Sequence, residues 1–205
     1  MKSQDPPIEL LHPIVNLFTN GNLQQALANS RKMLEKFPNS VILCNISGAS
    51  NAGLMQFDDA IDNYKKALKI KPNYAEAYYN MGIALKMKGD LEAAIDSYKN
   101  ALEIKSDYAE AYYNMGNALK KKGDLEAAID SYKNALEIKS DYVEAYYNLG
   151  IALMKKGDLE AAIDSYKHAL KIKPDHFMAY INMGIIQKDK GDLEAAIDSY
   201  ENALK

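Results

Sequence analysis

Residues 89–98 read GDLEAAIDSY, and the same ten residues return at 123–132, 157–166 and 191–200. The spacing is 34 residues each time. A second phrase, AYYN, begins at Ala77, Ala111 and Ala145 with the same period. A fixed period of this size points to a repeat architecture, in which each unit buries its apolar face only against its neighbours. With Ala75 as the first residue of a unit, the frames are 75–108, 109–142 and 143–176, followed by a shorter 177–205. Backwards, 41–74 keeps Gly48, Phe57, Ala60, Tyr64, Ala67 and Pro72, and the more diverged 7–40 keeps Leu17, Gly21, Ala26 and Pro38. The expected organisation is an N-terminal tail over 1–6 and one array over 7–205.

Each unit reads as two helices. The first runs from Glu76 to Lys88 in the frame that begins at Ala75. Asn73 with Glu76, Asp107 with Glu110, and Asp141 with Glu144 have the spacing of capping boxes in front of the first helices. Gly89 ends the first helix, because glycine accepts the left-handed conformation found at helix C-termini. Asp90 is placed to cap the second helix, Leu91 to Ile104. Ala94, Ile95, Tyr98, Ala101 and Leu102 recur at helical spacing. Gly82, Ala94 and Ala101 are small enough for the helices to approach closely, while Tyr78, Met81, Leu85 and Tyr98 fill the remaining space. In the first frame, Pro13 is expected to shorten or kink the leading helix.

This pattern resembles the tetratricopeptide repeat (TPR) family. The family's aromatic, Leu–Gly-like pair, alanine, aromatic and alanine are met by Tyr78, Met81–Gly82, Ala94, Tyr98 and Ala101. Pro38, Pro72 and Pro174 keep the closing proline, whereas Ser106 and Ser140 depart from it and loosen a turn. The resemblance implies an all-α fold: a TPR solenoid of antiparallel helix pairs forming a right-handed superhelix with a concave face.

A first helix that buries Tyr78, Met81, Gly82 and Leu85 leaves Glu76, Tyr79, Asn80, Ile83, Lys86 and Met87 on the opposite stripe. By the resemblance, that stripe lines the concave groove. The expected peptide-binding residues are Tyr79, Asn80, Ile83 and Lys86; Tyr113, Asn114, Asn117, Lys120 and Lys121; Tyr147, Asn148 and Ile151; and Asn182 and Ile185. Glu76, Glu110 and Glu144 edge the stripe on one side, and Lys155 and Lys188 join the lysines on the other. Frames 75–108 and 109–142 differ at only two positions, Ile83 against Asn117 and Met87 against Lys121, and both lie on the stripe. Such variation fits tuning to a ligand or simple tolerance of exposed positions.

The asparagine row has a definite chemistry. A side-chain amide offers a donor and an acceptor, so it can pair with a peptide backbone whatever the peptide's side chains are. The row is similar to the asparagine ladder of the TPR domain of O-linked N-acetylglucosamine transferases. Its alternative use is to bond a neighbouring repeat. Tyrosines supply flat amphipathic contact area or pack between repeats. The lysine and arginine clamp that other family members use for chaperone C-termini is not matched, since tyrosine and Asn148 stand where it needs cations.

Other chemistries find little support. The chain has 205 residues, a net charge of −3, 48% hydrophobic and 26% charged residues. The mild acidity argues against a nucleic-acid partner. No apolar run approaches the roughly 20 residues of a membrane span, and the start MKSQDPPIEL lacks the features of a signal peptide. The single cysteine, Cys44, excludes an intramolecular disulfide and fits a reducing, cytoplasmic setting. His12, His168 and His176 have no metal-ligand spacing. Ser97, Ser131, Ser165 and Ser199 repeat without a histidine beside them. No cofactor and no catalytic role are expected.

The expected function is a non-enzymatic scaffold that binds a peptide or partner segment. Two alternatives stay open. One is the substrate-recognition module of a larger transferase. The other is a self-assembling structural protein, a homo-oligomer formed through the uncapped last helix, where Ile197, Tyr200 and Leu204 have nothing after them to cover them.

Overall fold

The computed structural model describes residues 5–205; of the expected tail 1–6, residues 1–4 lie outside the described residues. Among the described residues there are twelve α-helices and no strands. The fold is an all-α repeat. The chain divides into two compact units, 1–106 and 107–205.

The first unit holds α1 (Ile8–Thr19), α2 (Leu23–Leu34), α3 (Val41–Gly53), α4 (Phe57–Ile70), α5 (Ala75–Lys88) and α6 (Leu91–Ile104). Each helix packs against the next, and α3 also touches α1 and α5. Asp5 fastens the start of the chain to α3: its Oδ1 accepts from Ser40 Oγ at 2.6 Å and from Ile42 N at 3.1 Å. Pro13 does not break α1, which runs through it for 12 residues against 14 in α5. Proline removes only the N–H that would have reached the Glu9 carbonyl. Both residues are exposed, so water can take the freed acceptor.

The second unit holds α7 (Ala109–Lys122), α8 (Leu125–Ile138), α9 (Val143–Lys156), α10 (Leu159–Ile172), α11 (Phe177–Asp189) and α12 (Leu193–Ala203). Consecutive helices pack together, and α7 also touches α9. Only Gly123 and Asp124 separate α7 from α8, which forces the chain to reverse. Gly123 has φ +95°, the left-handed conformation that β-carbons disfavour. Asp124 then caps α8 by accepting from Ala127 N at 3.2 Å, and Asp90, Asp158 and Asp192 do the same for α6, α10 and α12.

The capping boxes expected before the first helices do not form. The N-cap positions of α5, α7 and α9 are Tyr74, Tyr108 and Tyr142, and none makes a side-chain cap bond. Asn73, Asp107 and Asp141 fall one residue too early. In the first unit the reason is visible in packing: Tyr74 leans on the core formed by Val41, Cys44, Ala67, Leu68 and Ala77.

Within each pair the contact is set by a glycine and a tyrosine. Tyr64, Tyr98, Tyr132 and Tyr166 are fully buried, each against a glycine of the preceding helix. Alanines complete the core: Ala77, Ala84, Ala111, Ala118, Ala145, Ala152 and Ala179 are all inaccessible to solvent. In α8, Ile129 and Leu136 are 5% and 9% exposed, and burying each such side chain contributes about 1.5–3 kcal/mol.

Candidate functional site

On α7, α9 and α11 the stripe opposite the alanine core carries Tyr113, Asn114 and Asn117, then Tyr147, Asn148 and Ile151, then Asn182 and Ile185. All are half-buried except Ile185, which is 40% exposed. In the first unit, Tyr79, Asn80, Ile83 and Lys86 on α5 are likewise half-buried, and Met87 is exposed. Helical spacing alone aligns these side chains, since residues three and four apart share a face.

The asparagines are held in place. Asn148 Nδ2 donates to its own helix at Glu144 O, 3.0 Å, and to the hydroxyl of Tyr113 on the preceding repeat, 3.1 Å. Its Oδ1 accepts from Lys120 Nζ at 2.5 Å. One period later, Asn182 Nδ2 donates to the Tyr147 hydroxyl at 3.4 Å. Asn114 Nδ2 donates to Glu110 O at 3.1 Å. Each amide therefore spends donor capacity on the protein. What Asn148 leaves for a ligand is one lone pair of Oδ1, and Tyr113 adds its own O–H proton beside it.

The tyrosines lean inward. Tyr79, Tyr113 and Tyr147 meet the buried Tyr98, Tyr132 and Tyr166 of their own repeats at centroid distances of 6.1, 6.1 and 5.9 Å. Burial first, and then the neighbouring stripe tyrosine, raises the phenol pKa of the buried ring in each pair. Asn117 has a specific partner: it accepts from the Tyr132 hydroxyl at 2.8 Å. Where isoleucine replaces it, at Ile83 and Ile151, the hydroxyls of Tyr98 and Tyr166 have no protein partner. The Asn117 variation thus solves a packing problem inside its own repeat.

Two site neighbours escape a reading of the stripe by itself. Tyr142, at the N-cap of α9, stacks with Tyr113 at 4.9 Å, and Lys139 lies 4.6 Å over its other ring contact. His176, one period later, replaces that tyrosine and meets Tyr147 at 4.7 Å. The signal was available in the 34-residue offset between Tyr142 and His176. The other histidine of this unit, His168, stacks on Tyr146 at 5.1 Å.

Lysines differ among themselves. Lys120 is half-buried, and Lys121, Lys155 and Lys188 are exposed. Burial, and then the field of Lys155, holds the Lys120 ammonium pKa below the ordinary lysine value. Of the terminal residues, Ile197 is 57% and Leu204 89% exposed, whereas Tyr200 is half-buried against Gly184 of its own pair.

Nucleophilic chemistry has no footing in these residues. Ser97, Ser131 and Ser165 donate to the carbonyls of Ala93, Ala127 and Ala161 at 2.7–2.8 Å. Cys44 is buried, and burial raises its thiol pKa. Among the described residues, no group of three metal-binding side chains converges, and no helix is long and apolar enough to cross a membrane.

Known proteins share these features. In Arabidopsis thaliana, a probable UDP-N-acetylglucosamine–peptide N-acetylglucosaminyltransferase, SEC, is 33% identical over 88 residues, 43% of this chain and 9% of that protein. The peroxisomal targeting signal receptor of Candida albicans is 33% identical over 70 residues, 34% of this chain and 12% of the receptor. The chain therefore spans only about a tenth of the length of these relatives. A crystal structure of MamA superposes with a TM-score of 0.74 at 33% identity, covering 77% of this chain and 92% of that one. The TPR repeat pattern matches residues 56–89, 84–123 and 116–157, and the tetratricopeptide repeat pattern matches 143–176 and 179–205. Such repeats are typically non-catalytic scaffolds for protein interaction. With the buried glycine–tyrosine contact, the aspartate caps and these matches together, the chain belongs to the tetratricopeptide repeat family.

Proposed function

We propose that the chain holds an extended peptide segment along the stripe of its first helices. The same reading takes residues 7–205 as one array of six repeats, the last one short. The observation that carries it is the pair formed by Asn148 and the Tyr113 hydroxyl, followed one period on by Asn182 and Tyr147. Each such pair presents a phenolic donor and an amide acceptor side by side, fixed by the fold. A peptide backbone offers the complementary acceptor and donor without regard to side chains. Preorganised groups lose little entropy on binding, which favours affinity. Two relatives lend support through their names, one a transferase acting on peptide and one a receptor for a targeting signal.

The test is capture of partners from a lysate by the native chain beside a triple variant, Asn80, Asn114 and Asn148 to alanine. Partners retained by the native chain and lost by the folded triple variant are the expected result. Identical partner sets would overturn the proposal. The narrower role of presenting substrate to a transferase predicts that the captured segments are acceptors for group transfer.

A second reading rests on α12. Ile197 and Leu204 are 57% and 89% exposed, whereas Ile163 and Leu170, one period earlier, are 7% and 9%. This face is proposed as a self-association edge. Sedimentation across concentration should then show an oligomer that Ile197→Lys dissolves; a native monomer at high concentration removes the reading.

A further inference from the structure

Lys120 occupies a costly position. Its ammonium faces the amide oxygen of Asn148 at 2.5 Å and the Tyr132 ring at 5.9 Å from the centroid. Both are neutral. The carboxylates of this unit that hold lysines do so elsewhere: Glu126 with Lys156 at 3.0 Å, and Glu160 with Lys190. Lys155, the nearest charge, is another cation and repels it. A half-desolvated cation balanced by dipoles alone, beside a like charge, is unfavourable for folding. The position does not need lysine for packing, because Met154 stands there one period later. Groups kept against the interest of the fold concentrate at functional sites.

The geometry around Lys120 is also controlled. Asn148 is fixed by Glu144 O and by the Tyr113 hydroxyl, so its oxygen aims the ammonium. Where Met154 replaces the lysine, Asn182 has only the longer 3.4 Å bond to Tyr147 in the same ladder. The aimed cation therefore belongs to one repeat and not to the repeat as such.

We propose that Lys120 and Lys155 form an anion subsite that takes a carboxylate of the bound peptide, with Asn148 and Tyr113 as positioning residues. The inference rests on the peptide-binding reading above and adds the ligand class, an acidic segment. A carboxylate between the two ammonium groups would cancel their repulsion and accept charge-assisted hydrogen bonds. An aspartate or glutamate side chain and a free C-terminus share this chemistry.

The test begins with selection of unstructured peptides from a random library on the native chain. The selected peptide, its Glu/Asp→Gln/Asn version and its C-terminal amide are then titrated by fluorescence anisotropy. Enrichment of acidic residues, or dependence on the free C-terminus, is expected, and the two versions say which carboxylate is used. Lys120→Met should weaken the acidic peptide by about tenfold, the scale of one charge-assisted bond. It should also abolish the difference between the acidic peptide and its neutral version, while Lys120→Arg retains part of it. Selected peptides without acidic preference, bound equally by Lys120→Met, would overturn the subsite and leave the groove reading intact. Failure to select any peptide, with identical lysate partners for the native and triple-asparagine chains, overturns both.

Discussion

Gly116 on α7 lies against the ring of Tyr132 on α8 so closely that a β-carbon at 116 would sit 2.7 Å from Cε1 and 2.8 Å from Cδ1. The same contact joins Gly48 to Tyr64, Gly82 to Tyr98, Gly150 to Tyr166 and Gly184 to Tyr200. Gly116→Ala is expected to destabilise the chain. Alanine favours the helix by roughly 0.8–1.0 kcal/mol, but overpacking a full ring costs about 1–3 kcal/mol. Combining it with Tyr132→Leu should cost less than the sum of the two single changes, since the clash is shared. Urea unfolding of the four chains checks this.

The buried hydroxyls give an exchange experiment. Tyr132 O–H donates to Asn117, while Tyr98 and Tyr166 have no protein partner. Asn117→Ile should lower stability by about 1 kcal/mol, the net worth of one hydrogen bond. Ile151→Asn, which offers Tyr166 the same partner, should raise it by a similar amount. Opposite signs in denaturant midpoint are the expected outcome; equal signs would contradict the assignment.

Helix starts separate two kinds of aspartate. Asp124 accepts from Ala127 N, so Asp124→Ala should cost about 1 kcal/mol. Asp107 precedes the N-cap Tyr108, which makes no side-chain cap bond. Asp107→Ala should therefore shift the unfolding midpoint little, despite the capping-box spacing of its sequence.

Asn148 and Asn182 occupy equivalent positions with unequal bonding. Asn148→Ala breaks contacts to Tyr113, Glu144 and Lys120 and strands the Lys120 ammonium, with an expected loss of about 1–3 kcal/mol. Asn182→Ala breaks a 3.4 Å bond and should lose less. Thermal unfolding of the two variants side by side decides it.

Lys120 should leave a mark on pH dependence. Its pKa is lowered on folding, so between that value and the ordinary lysine pKa of about 10.4 the unfolded state binds more protons. Native stability therefore rises with pH through that window, and the unfavourable charge acts fully below it. Lys120→Met removes the effect. The native chain should gain on the variant as pH rises in the alkaline range, and the variant should lose no more than about 1 kcal/mol at neutral pH.

Much of this was legible in the chain itself. The period of 34 residues, the glycine that stops each first helix and the aspartate that caps the next follow from local chemistry, because helices and their ends are governed by residues close in sequence. The stripe of Tyr113, Asn114 and Asn117 was visible for the same reason, as helical geometry alone puts those side chains on one face. What the sequence could not decide was which atoms meet across helices. Asn117 turns to Tyr132, Asn148 to Tyr113 and Lys120, and Tyr142 to Tyr113 only because packed backbones bring residues 15 to 35 positions apart into contact. The failed capping boxes show the same limit: Tyr74 packs into a core, and that tertiary contact outweighs a local bond worth about 1 kcal/mol. Local pattern determined the helices and the face they present; the contacts between helices decided which of that face's hydrogen bonds are already spent.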